Sequence, residues 1–182
     1  MSSSAILLGL LVLMATFAIG FLIGKSSASW AGASGRALVW RILKPTLVVS
    51  GLFLLAIQLI PYGRAHDNPP VLAEPSWDSP TTRELAVRAC FDCHSNETAW
   101  PWYSNIAPLS WLVQRDVDDG RSKANWSELG RHPGDESNES AETVREGSMP
   151  PRAFTLLHSE ARLTDQEMED LVAGLVSTFG SG

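Results

Sequence analysis

The chain has 182 residues, enough for one modest domain with extras, and a formal net charge of −6. That charge is split, +4 before Pro61 and −10 after it, and no Asp or Glu precedes Asp67. An acidic soluble part lacks the basic footprint of a nucleic-acid binder, and two cysteines three positions apart exclude a fold-spanning disulfide framework.

Residues 5–23 (AILLGLLVLMATFAIGFLI) form a 19-residue uncharged run, close to the length needed to cross a ~30 Å hydrocarbon core. A cleaved signal peptide is the alternative, but no basic residue precedes the run and no small-residue cleavage site cleanly follows it. A second run, residues 46–60 (TLVVSGLFLLAIQLI), is opened by Lys44-Pro45 and closed by Pro61-Tyr62, with Trp40 and Tyr62 as interface residues. Together the runs predict a transmembrane hairpin over residues 1–62. Residues 24–44 connect them with four positive and no negative charges, which places that loop in the cytoplasm and everything after Tyr62 outside. Gly9, Gly20, Gly24 and Gly51 offer small-residue packing surfaces for lipid-embedded partner helices.

Residues 63–80 (GRAHDNPPVLAEPSWDSP) hold four prolines and no apolar period, so they read as an extended tether. Residues 81–182 then read as a small all-α domain with long loops. A helix opens at Pro80-Thr81, and weaker candidates cover residues 109–117 and 139–146. The last helix is marked by a Thr164/Glu167 capping box and by Met168, Leu171, Val172, Leu175, Val176 and Phe179 on one face.

Cys90-Phe91-Asp92-Cys93-His94 is C-x-x-C-H, the attachment signature of c-type haem. Two thiols one turn apart reach the two vinyl groups of one porphyrin, and the adjacent imidazole ligates its iron. A redox dithiol would be expected beside a βαβ pattern, and structural zinc would need two more ligands; neither is found. For the sixth iron position the candidates are Met149, Met168, His66, His132 and His158. Met149 is preferred because Pro150 and Pro151 restrict its loop, whereas Met168 sits on the repeating apolar face. His66 falls in the tether and His132 in a hydrophilic loop. Trp100, Trp102, Tyr103 and Trp111 would form a wall against the porphyrin. Arg121, Lys123, Trp126 and Arg152 are candidates for the propionates, and Asn96, Asn125 and Asn138 open N-x-S/T triplets of little weight.

From Cys90 to about Gly174 the chain resembles the haem-binding domain family of bacterial membrane-anchored c-type cytochromes. The resemblance rests on CFDCHSNETAWPWYSNIAPLSWLVQRDV, GRSKANWSEL and GSMPPRAFTLLHSEARLTDQE. It implies one covalent haem c, Cys90 and Cys93 as attachment points, His94 as proximal ligand, and Met149 at the family's Met-Pro position. The chain departs near Arg115, where a His would be expected. The resulting expectation is a membrane-tethered electron carrier, partnered by integral membrane subunits of a respiratory or photosynthetic complex and by redox donor and acceptor proteins. The alternative is a haem sensor or peroxidase-like enzyme with an open distal site.

Overall fold

The computed structural model describes residues 15, 16, 18–20, 22, 35–131 and 133–180. Among them the regular elements are helical, with one isolated parallel bridge between Ala73 and Glu128, in accord with an all-α chain. The chain divides into two units, Met1–Pro61 and Tyr62–Gly182.

In the first unit, α1 runs from Gly35 to Ile57 with Pro45 inside it. This corrects the expected start at Thr46 and turns the second half of the expected connecting loop into helix. The residues before the proline include strong helix formers, so the helix runs through it although an internal proline loses one backbone bond and crowds the carbonyl four residues back. Thr46 Oγ adds a bond to Ile42 O, at 2.9 Å. Within α1, Val39–Ile57 is long and apolar enough to cross a membrane. The helix closes through three i→i+3 bonds, from the amides of Gln58, Leu59 and Ile60, ahead of Pro61. Most of the first apolar run, residues 5–23, lies outside the described residues.

In the second unit, Ser79 caps α2 (Pro80–Ala89) by accepting the Thr82 N–H at 3.1 Å, with Pro80 preset for the first turn. A short α3 (Phe91–His94) follows directly. Next come a 3₁₀ turn at Trp102–Asn105 and α4 (Leu109–Lys123), which extends six residues beyond its expected end. After α5 (Ser140–Arg145) and α6 (Arg152–Leu157), α7 (Asp165–Phe179) opens on the expected capping box. Glu167 N–H donates to Thr164 Oγ at 3.2 Å, and Thr164 N–H to Glu167 Oε at 2.8 Å. Gly174 crosses α2 so closely that a Cβ would strike the Thr82 side chain, and Leu171 and Leu175 beside it are fully buried.

One expectation about packing changes. Residues 63–79 are a bound strap, not a tether. Leu72 and Ala73 N–H both donate to Ser127 O (2.8 and 3.0 Å), and Asn68 Nδ2 donates to Thr98 O at 3.0 Å. The strap also delivers Trp77 to an aromatic core, 5.4 Å from Trp126 and 5.9 Å from Phe179 between ring centroids. Its prolines fix an extended path whose polar groups find partners on the domain. Trp102, expected in the wall against the porphyrin, is 76% exposed in the protein chain itself. The protein builds its own aromatic core from Trp77, Phe91, Trp126 and Phe179.

Candidate haem site

The end of α2 and the whole of α3 place Cys90, Cys93 and His94 on one tight turn. Cys93 and His94 N–H both return to Cys90 O, at 3.1 and 2.9 Å. Both thiols are free and half-buried, and burial pushes each up to about 12. Reactive dithiols are shifted the other way, because thiolate must form for exchange. These sulfurs are placed as neutral groups in a shielded turn.

His94 Nδ1 lies 3.0 Å from Ala124 O; since a carbonyl only accepts, Nδ1 carries the proton and Nε2 keeps its lone pair. Burial also pushes this imidazole down, so it is neutral near pH 7. A neutral ring, fixed by its outer nitrogen and with the inner one available, is what metal ligation requires. Trp126 stacks behind it at 5.9 Å and donates its own backbone N–H to His94 O at 2.8 Å. Gly120 makes the turn possible, because a Cβ there would overlap the Cys93 carbonyl. Among the described residues no group of three or more His, Cys, Asp or Glu converges as a metal cage.

The chain matches the haem-binding domain family over residues 52–177. It belongs to that family. No curated protein and no solved structure matches it.

The residues of the haem-binding domain fit the group. Two free thiols and a preset imidazole share one turn, and the buried Trp126 Nε1–H has no hydrogen-bond acceptor of its own. Of the other groups proposed for propionates, Arg121 is committed elsewhere. It donates to Ser95 O, Asp67 O, Asn68 Oδ1 and Thr98 Oγ1, at 2.8 to 3.1 Å, and so pins the strap to the loop after His94. Lys123 pairs with Glu136 at 2.8 Å, and Arg152 is exposed.

The five candidate sixth ligands separate. Met149 is half-buried against the core that also receives Cys90, and its N–H is held by Thr143 O at 3.1 Å. Met168 packs on the same core and lines a groove of about 590 Å³ with Val144, Val172 and Val176. His66 Nε2 is engaged by Ser104 Oγ at 2.9 Å while its ring stacks on Trp100 at 4.8 Å. His158 Nδ1 donates to Phe154 O (3.1 Å), which leaves Nε2 to accept from Tyr103 Oη at 3.3 Å. His132 lies outside the described residues. Asn96 and Asn125 are buried and bonded to each other at 2.9 Å, so those two triplets are structural.

Three contributors escaped the sequence reading: Ala124, Gly120 and Trp77. Ala124 acts through its carbonyl, which leaves no side-chain signal. Gly120 lies past the expected end of its helix at residue 117, where a glycine reads as a stop.

Proposed function

We propose that this haem-binding protein is a membrane-tethered mono-haem c-type cytochrome, an electron carrier on the outer face of the bacterial cytoplasmic membrane. It would serve as a subunit of, or docked to, a respiratory or photosynthetic complex, between a redox donor and an acceptor protein. The observation that carries the reading is the Cys90–His94 turn, with two shielded free thiols beside an imidazole whose Nδ1–H is fixed by Ala124 O. Covalent haem c on Cys90 and Cys93 supplies a one-electron iron couple when bound. His94 would hold the iron through Nε2, and Ala124 would keep the ring from turning. Met149 is the preferred second ligand, because Thr143 fixes its loop while both ring nitrogens of His158 are engaged. Two protein ligands leave no vacancy for small molecules, which favours electron transfer over sensing or peroxide chemistry.

For the membrane part, Gly20 lies so close to Thr46 that any Cβ on it would strike the threonine, a close approach that suits a helical hairpin. Arg36, Arg41 and Lys44 all lie in the first half of α1, which favours a cytoplasmic start and an outer haem domain.

Haem staining after denaturing electrophoresis tests the attachment. Colour should stay with the wild-type polypeptide and be lost in Cys90→Ala/Cys93→Ala. Met149→Ala should remove the weak long-wavelength band of a thioether–iron(III) bond and open the iron to carbon monoxide. If His158→Ala does this instead, the ligand assignment fails. A reporter fused after Gly182 that works only in the cytoplasm would overturn the topology.

A further inference from the structure

The longest uncharged stretch of the second unit is residues 98–114 (TAWPWYSNIAPLSWLVQ), 17 residues with three tryptophans and a tyrosine. Its aromatic residues Trp100, Trp102, Tyr103 and Trp111 are the ones expected to wall the porphyrin, and part of the segment faces outward. Trp102 is 76% exposed, Ile106 45% and Leu109 43%. Ser104, Ala107 and Ser110, interleaved with and following them, are buried. The segment thus anchors itself through small residues and presents large apolar ones.

Its position along the chain says what covers it. Ser110 Oγ donates to Tyr62 O at 3.2 Å, and Tyr62 Oη donates to Asp118 Oδ2 at 3.3 Å. Gly63, at φ +77°, lies against the Ser110 carbonyl, where any Cβ would collide. The start of α4 is therefore clasped to Tyr62, the residue next after Pro61. Five peptide steps separate Tyr62 from Ile57, the last residue of the apolar span, at most about 18 Å of chain. The strap that follows is bound along its length to the second unit itself.

We propose that Trp102, Ile106 and Leu109 rest in the interface of the bilayer that α1 crosses. This inference depends on the tethered reading above. Tryptophan and tyrosine without charge is the composition that settles at headgroup level. Asp116, Asp118 and Asp119 begin two residues past the uncharged stretch, which sets the depth: the acidic turn stays in water.

The test uses the full haem-loaded chain in phosphatidylcholine vesicles containing a lipid with a diazirine near the top of one acyl chain. After illumination, labelled peptides are located by mass spectrometry. Label is expected on α1 and on residues 98–114, and lost from the latter, with α1 unchanged, in Trp102→Ser/Ile106→Ser/Leu109→Ser. Label on α1 alone in the wild type overturns the inference, the face being wet or covered by protein, and leaves tethering standing. Label on neither overturns tethering and the inference with it. Label on residues 98–114 that survives the triple substitution also overturns it.

Discussion

The turn from Cys90 to His94 and the strap over residues 63–79 hold one domain in opposite ways. The turn is contiguous: five residues close on the Cys90 carbonyl, and one outside group, the Ala124 carbonyl, sets the imidazole. The strap has almost no internal structure. Its order comes from Ser127, Thr98, Ser104 and Arg121, residues 30 to 55 positions further along the chain than the strap atoms they bind. A local motif declares its chemistry in its spacing. A segment ordered only by distant partners looks like a linker until those partners are in place.

The comparison breaks most sharply at Trp77. If the strap were a tether, Trp77→Ala would leave stability unchanged. As part of the aromatic core with Trp126 and Phe179, its truncation should cost about 3 kcal/mol, in the range for large aromatic deletions. Denaturant unfolding of the detergent-solubilised full chain, followed by haem absorbance, measures it.

Gly120 sharpens the other side. Glycine to alanine inside a helix ordinarily stabilises, by up to about 1 kcal/mol. Here the added methyl would meet the Cys93 carbonyl, so Gly120→Ala should destabilise, by about 2 kcal/mol as for an overpacked core. It should also lower the fraction of chains recovered with haem. The sign alone decides: a stabilised variant would mean that α4 does not press on the attachment turn.

The same contrast separates what was legible in the residues from what was not. The Thr164/Glu167 box, the apolar face of α7 and the Cys90-Cys93-His94 spacing are local signals, each complete within about four turns of chain. Pro45 misled, because a proline suited to a first turn also fits inside a helix whose flanks favour it. The strap misled through its own prolines, although Pro70 O accepts a bond from Asn96 Nδ2 at 3.1 Å. Arg121 looked like a propionate partner by charge alone, but four oxygen atoms from two segments claim its guanidinium first.

The smallest expected effect lies where α7 is tied to α2. Arg88 Nη1 meets Glu167 Oε at 2.5 Å, and the same carboxylate accepts Thr164 N–H in the capping box. Arg88 first, and the Thr164 amide after it, hold the Glu167 carboxyl down at about 2, below its ordinary 4.5. A carboxyl depressed in the folded state stabilises fully above its ordinary value, and the contribution drains away as pH falls toward the folded one. Glu167→Gln keeps an acceptor for Thr164 but removes the charge facing Arg88. Thermal midpoints should therefore favour the wild type by a small margin at pH 6, with the two curves converging as pH drops from 4.5 to 2. Because the pair is at the surface, salt should shrink the margin at pH 6 as well. A margin that persists at pH 2 would locate the effect in the cap's hydrogen bond instead of the ion pair.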